Sequence, residues 1–554
     1  MPGQRCRHGL MLSSLLLGLW ALSGCASHGP PSRQVHGDTL PLKKKPKSRQ
    51  PSLANEIIEM STALHLRQAL DLPRVYRKLA GRPYQALNVD NFDQVPNSTW
   101  FTNRNGAKPL DPALIRVGPN TSGPSPGGPW QVVGLKQAGV TPGMTIIDGE
   151  GRRFILKFDP VDYPELPSGT EAALAKLFYA AGYNVPENFI TYFDPSILQP
   201  HPEATISFHT NDKRAPMAQR PMTGADLAKV IDQVRPTGKG PVRALASRFL
   251  PGIPIGPWSY EGVRGSDAND VYPHEHRREI RGLYVIASWL NHADMKEENT
   301  LDMYDPEAGI VRHYLIDFGS SAGSAGIAAG NPRRGQANSF DFKDAFLRLA
   351  TLGLYVRNYE RTPTHIPHPS VGYLENEIFN PGSWKGMYPV PAFENLTGRD
   401  AFWGAQIVTS FTDAQIEAAV EAGQFSDPEA AAYFSRYLRQ RRDMVGQYWF
   451  NRLNPLTHFS LEDGQLRFAD LAEGLGDLPP AEGYQCQVLS PDKGLLSESV
   501  LIDRQLPLQD GWLAEEYLAV SLKPKRPEVS VDPVVVFLQG NEGAWDLIGL
   551  RRAD

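Results

Sequence analysis

The stretch from Trp289 to Gly323, WLNHADMKEENTLDMYDPEAGIVRHYLIDFGSSAG, decides how the rest of the chain is read. It holds two short motifs, His292-Ala293-Asp294-Met295-Lys296-Glu297-Glu298-Asn299 and Leu315-Ile316-Asp317-Phe318-Gly319. Between them the turn residues Asp305-Pro306-Glu307-Ala308-Gly309 precede an apolar run from Ile310 to Ile316. This order predicts a loop, a hairpin and a strand whose end carries an acid. Taken alone, each motif is also compatible with a plain helix end and strand, with Asn299 and Asp317 in turns.

Together and in this order, the motifs resemble the catalytic and metal-binding loops of the protein-kinase-like superfamily. The pattern there is H-R-D-x-K-x-x-N followed by D-F-G. His292, Asp294, Lys296 and Asn299 fall at matching places, and Ala293 stands where the family has Arg. The resemblance implies phosphoryl transfer from ATP or GTP to a hydroxyl. Asp294 would accept the hydroxyl proton and Lys296 would steady the γ-phosphate. Asn299 and Asp317 would hold Mg²⁺ or Mn²⁺.

The same stretch offers a rival. Gly319-Ser320-Ser321-Ala322-Gly323 fits G-x-S-x-G, the nucleophile elbow of serine hydrolases. His365, His368 and His458 lie downstream, but no oxyanion segment of the HGGG type is present.

The chain opens with Arg5 and Arg7 and an apolar run from Leu10 to Leu22, the pattern of an export signal. The run is too short for an ordinary membrane span. Its end, Leu22-Ser23-Gly24-Cys25, resembles the lipobox of bacterial lipoproteins. That resemblance implies a signal peptide over residues 1–24, lipidation of Cys25, and a lipid-anchored protein on the bacterial cell envelope, facing outside the cytoplasm. Cys6, Cys25 and Cys486 are the only cysteines, so no internal disulfide is expected in the processed chain. Residues 25–55, with Lys43-Lys44-Lys45-Pro46-Lys47, read as a flexible tether. With 554 residues and 41% hydrophobic content, the chain has the material for two or three domains. A net charge of −5 gives no basic field for nucleic acid.

Residues 56–125 read as a helical and extended strap, closed by the Pro/Gly-dense segment from Gly118 to Gly128. Two apolar runs, Met144 to Ile147 and Arg153 to Phe158, flank Asp148-Gly149-Glu150-Gly151 and predict a hairpin. Lys157 near its end matches the phosphate-binding Lys of kinase-like strands and resembles that of HipA-like kinases; the whole is similar to an atypical kinase, HipA-like or secretory-kinase-like. The phosphate-covering loop would be residues 134–139 with Lys136, although it lacks the G-x-G-x-x-G pattern. A helix is predicted from Glu171 to Ala181, its apolar face formed by Leu174, Leu177, Phe178 and Ala181. Glu171 has two readings: the partner of Lys157 that the resemblance implies, or one half of a capping box with Ser168.

Pro241 to Leu250 is expected as a strand and Leu250 to Ile253 as a hinge. His274 to Asn291 is expected as the helix delivering the chain to Asp294. Phe340 to Tyr355, Thr412 to Ala422 and Asp427 to Leu453 read as further helices, and Val534 to Leu550 as a hairpin. The fold class expected is α+β. The resemblance implies a two-lobed body, with a β-rich N-lobe over residues 126–252 and a helical C-lobe over residues 253–456. A small β-rich domain over residues 457–554 completes the chain. A second functional reading is a pseudokinase-type scaffold that binds nucleotide without turnover, because a protein outside the cytoplasm meets little ATP.

Overall fold

A computed structural model describes residues 29–50, 64, 67, 70–135, 142–208, 218–235, 240–476, 478–541 and 543–553. The expected signal segment, Cys25 and the 136–141 segment with Lys136 lie outside the described residues, as does most of residues 56–69, the first part of the expected strap. The chain is α+β and divides into two compact units. One takes the described residues of 1–35, 89–95 and 449–554, the other residues 36–88 and 96–448.

The larger unit begins with two short helices, α1 (Leu72–Leu79) and α2 (Pro112–Val117). A six-stranded sheet follows, built from β1 (Trp130–Leu135), β2 (Gly143–Ile147), β3 (Arg153–Lys157), β4 (Asn188–Phe193), β5 (Leu198–Pro200) and β8 (Val242–Arg248). Its order is β4-β8-β3-β2-β1-β5. Every pair is antiparallel except β1 with β5. The β2–β3 hairpin forms as expected, Ile147 pairing with Arg153 and Gly143 with Lys157. Alternate residues of β3 are buried, so Phe154 and Leu156 enter the core. Helix α3 (Leu166–Ala181) connects β3 to β4. A small pair, β6 (Thr205–Phe208) with β7 (Ala218–Pro221), and helix α4 (Gly224–Val234) fill the insertion before β8.

Beyond β8 the chain reaches β9 (Ile253–Pro254), which pairs with β10 (Thr300–Asp305). β10 in turn pairs with β11 (Ile310–Leu315), the hairpin between the two motifs. The connection expected as a hinge therefore links the first sheet to this second one. Helix α5 (Arg278–Leu290) is buried at every position, and a left-handed Asn291 (φ 46°) ends it. The remaining helices are α6 (Phe342–Ala350), α7 (Asn358–Arg361), α8 (Pro391–Glu394), α9 (Gly398–Thr409), α10 (Asp413–Glu421) and α11 (Pro428–Phe450). Arg441 of α11 is buried and donates from Nε to Trp289 O at 2.8 Å and from Nη2 to Ser288 O. A cation thus caps the last carbonyls of α5, where the helix dipole is negative.

The tether expectation fails for residues 36–49. Their backbone is hydrogen-bonded to the larger unit, Leu42 N to Gly309 O at 2.7 Å and Arg49 N to Ile255 O at 2.8 Å. The buried Asp38 carboxylate takes the Thr99 hydroxyl at 2.7 Å. Gly256 (φ 92°) lets Arg49 approach, since a Cβ there would lie 1.9 Å from Arg49 O. Pro46 is buried while Lys43, Lys44 and Lys45 stay exposed. Composition suggested a solvated linker, but the backbone groups find partners and the segment lies ordered.

The smaller unit is all-β apart from a short 3₁₀ turn and the end of α11. One antiparallel sheet runs β12-β13-β16 (Leu456–Glu462, Gln465–Asp470, Gln505–Pro507). The other runs β15-β14-β17-β18-β19 (Gly494–Leu501, Gly483–Ser490, Leu518–Lys525, Val534–Asn541, Ala544–Arg551). Leu466 and Phe468 from the first sheet and Val488, Val520 and Val536 from the second share one core. Cys486 is buried in it as a free thiol. Among the described residues no helix is long and apolar enough to cross a membrane.

Candidate functional site

Three residues far apart in sequence meet between the first sheet and the loop after β11. Lys157, the last residue of β3, lies with Nζ 2.8 Å from Glu171 Oε1 and 2.9 Å from Oε2. The same ammonium is 3.1 Å from Asp317 Oδ1. Glu171 is buried on α3, whereas the Asp317 side chain is 51% exposed and opens to solvent. Burial works against the charge on Lys157, but the Glu171 and Asp317 carboxylates outweigh it and hold the ammonium well above its ordinary value.

Of the two readings of Glu171, the cap is not the one formed. Helix α3 starts at Leu166, so Glu171 already lies inside it. Ser168 turns away and donates its hydroxyl to Asp159 Oδ2 at 2.6 Å.

Asp317 adopts a left-handed conformation (φ 64°), which turns the chain sharply between β11 and Phe318. Phe318 is fully buried. It stacks on Phe178 of α3 (centroids 4.7 Å, 25°) and leans on His292 (5.5 Å). These rings fix the loop that carries Asp317 to both α3 and the first motif. Gly319 follows, and a Cβ there would make a tight 3.1 Å contact with Glu171 Oε2.

The first motif forms a tight loop. Asn299 Nδ2 donates to Asp294 O at 2.7 Å, and Ile316 N donates to Asn299 O at 3.0 Å. With its nitrogen committed, Oδ1 is the Asn299 side-chain atom left for a cation. Lys296 Nζ is 3.5 Å from Asp294 Oδ2. Burial lowers the affinity of Lys296 for its proton, but Asp294 together with Tyr388 and Glu298 outweighs it, so it too is held above its ordinary value. Among the described residues no cluster of three or more His, Cys, Asp or Glu could hold a metal by itself. Asn299 and Asp317 would supply two oxygen ligands, which suits Mg²⁺ when phosphates and water complete the shell.

The hydrolase alternative is at odds with the geometry. Ser321 has no exposed surface, and its Oγ is 2.7 Å from His292 Nδ1, also buried. Burial pushes His292 down to about 4, so the pair is a neutral internal hydrogen bond. The chain leaves β11 into coil rather than the strand-to-helix turn an elbow requires.

No motif in the sequence singles out Arg334. Its Nη2 donates to Ser320 O at 2.6 Å and Ser320 Oγ at 3.1 Å, while its buried Nε has no partner among the described residues. Burial lowers the affinity of Arg334 for its proton, and the charges of Asp294 and Tyr388 work against that without cancelling it. The surrounding Gly330-Asn331-Pro332-Arg333-Arg334-Gly335 has no periodicity that would have singled it out. A cleft beside the loop is lined by Arg67, Tyr260, Met295, Lys296, Glu298 and Tyr388. His274 and His276, separated by Glu275, turn to different partners: His274 binds Asp270 (2.8 Å) and His276 binds Arg281 (2.5 Å).

Compared with known proteins, the chain matches no family model. No curated protein matches it either.

Proposed function

We propose that the larger unit is a two-lobed kinase-like body that transfers the γ-phosphate of ATP or GTP to a hydroxyl acceptor. The convergence of Lys157, Glu171 and Asp317 from a strand, a helix and a loop carries this reading. Lys157, held by Glu171, binds nucleotide phosphates. Asp317 and Asn299 hold Mg²⁺ or Mn²⁺ against them. Asp294 accepts the proton of the acceptor hydroxyl, and Lys296 neutralises charge developing on the transferred group. The cleft beside Lys296 gives the acceptor a place to lie.

Lipidation of Cys25 would hold this body on the bacterial envelope, outside the cytoplasm. A pseudokinase-type scaffold would use the same nucleotide site without turnover. The test is Mg²⁺-dependent binding of ATP, followed by transfer of labelled γ-phosphate. A ligand at 100 times its Kd adds about 2.7 kcal/mol to stability. No stabilisation by any nucleotide with Mg²⁺ or Mn²⁺ overturns both forms of the proposal, and binding without transfer selects the scaffold.

A further inference from the structure

Helix α6 is built inside out. Phe346 and Leu349 are 67% and 76% exposed, and the turn that ends the helix presents Leu352 at 91% and Leu354 at 84%. The polar side faces the protein. Asp344 is buried and paired with Arg357, which also lies 3.2 Å from Asp341 Oδ2. Lys385 Nζ reaches Asp341 Oδ2 at 2.7 Å, and Arg348 pairs with Glu360. A soluble helix buries its apolar stripe and leaves its charges in water. Here ion pairs hold the element down and the leucines stand in solvent, so the medium it meets is apolar.

We propose that α6 and its following turn form a membrane-docking face that inserts Phe346, Leu349, Leu352 and Leu354 into a lipid bilayer. Three features favour lipid over a protein partner. The leucines are exposed tips rather than the walls of a groove. Every acid between Phe340 and Arg361 is paired with Arg or Lys, and four basic residues face three acidic ones, so nothing there repels an anionic headgroup. The chain also enters the larger unit close to its expected anchor. His36, where the larger unit begins, is 11 residues from Cys25. A lipidated Cys25 would hold it within roughly 40 Å of the bilayer. That last point rests on the lipoprotein reading; the first two do not.

The test therefore uses the processed chain beginning with Cys25→Ser, which carries no lipid. It is mixed with vesicles of phosphatidylethanolamine and phosphatidylglycerol and floated through a density gradient. The parent is expected to float. Leu352→Asp/Leu354→Asp, whose side chains project into solvent and leave the fold intact, should lower the partition coefficient at least about tenfold. Nucleotide binding by the variant should match the parent's. A parent that stays at the bottom, or a variant that floats equally well, overturns the proposal. A parent that is dimeric where the variant is monomeric also overturns it, because a second copy then covers the face. Failure of the anchor reading shows separately, as wild type that is never lipidated.

Discussion

Lys157 Nζ bonds to Asp317 Oδ1 across the opening between the first sheet and the loop after β11, 160 residues away in sequence. A cation and nucleotide entering there must take Asp317 from Lys157 and give the ammonium phosphate oxygens instead. Nucleotide binding should therefore require a divalent cation. Asp317→Ala should weaken Mg²⁺-nucleotide binding by more than tenfold, and Asp294→Ala should remove turnover while leaving affinity within about threefold. Titration calorimetry on both variants decides; equal affinity in wild type and Asp317→Ala removes Asp317 from the metal site.

The partner of Lys157 on α3 makes a second prediction. Glu171 is buried, so Lys157→Met leaves a carboxylate with its main counter-charge gone. The variant should lose about 2–4 kcal/mol of stability. Lys157→Met/Glu171→Gln should recover part of that loss, because neither charge is then stranded. Denaturant melts of the single and double variants measure the coupling. Additive losses would mean that the pair contributes nothing as a pair.

A buried cation elsewhere on α3 sets a pH dependence. Among the described residues Lys176 Nζ hydrogen-bonds carbonyls, Val117 O at 3.0 Å and Asn188 O at 3.4 Å, and burial, opposed by the charge of Glu187, lowers it from 10.5 to about 7. Between those two values the unfolded chain holds the proton and the native state does not, so this group makes stability rise with pH, by about 1.4 kcal/mol per unit. Below about pH 7 both states are protonated and the full penalty applies. Lys176→Met should remove that slope. Stability of wild type and variant measured from pH 6 to 10 should converge toward high pH, and parallel curves would refute the assignment.

Ser321 should prove inert. Fluorophosphonate probes should not label the protein, and Ser321→Ala should cost about 1 kcal/mol through the lost bond to His292, with no effect on nucleotide binding. Labelling that vanishes in Ser321→Ala would reinstate the hydrolase.

The anchor is testable on its own. Wild type expressed with its signal should enter the detergent phase of a phase separation, and Cys25→Ser should remain in the aqueous phase after export. Wild type found in the aqueous phase ends the lipoprotein reading.

The strands around Lys157 were legible because alternate residues are buried, leaving a period of two in the sequence. Asp294, Asn299 and Asp317 stood out through the spacing of the two motifs, and the structure brings Asp317 to Lys157 and Asn299 to the backbone of Asp294. Glu171 was ambiguous, since a capping box and an ion-pair partner leave the same letters. Helix α9 was missed because its buried positions include Arg399, Asp400 and Gln406, so polar letters interrupt the apolar stripe that would show its period. Residues 36–49 misled through composition, which records solubility but not the backbone partners a segment will find. Arg334 reaches the site through the path of a loop, which no local pattern encodes.

The cap that Arg441 places on α5 has a consequence for the order of events in synthesis. Nε and Nη2 hold carbonyls 152 and 153 residues upstream. Asp294 is translated long before the side chain that steadies the helix leading to it. Until about residue 450 has emerged, that helix end lacks its counter-charge, and the loop beyond it has no fixed base. Contacts of such long sequence separation form late and slowly. A growing chain would thus carry Lys157, Asp294, Asn299 and Asp317 before the helix that holds their loop in place, and that arrangement would be steadied only with the completed α11.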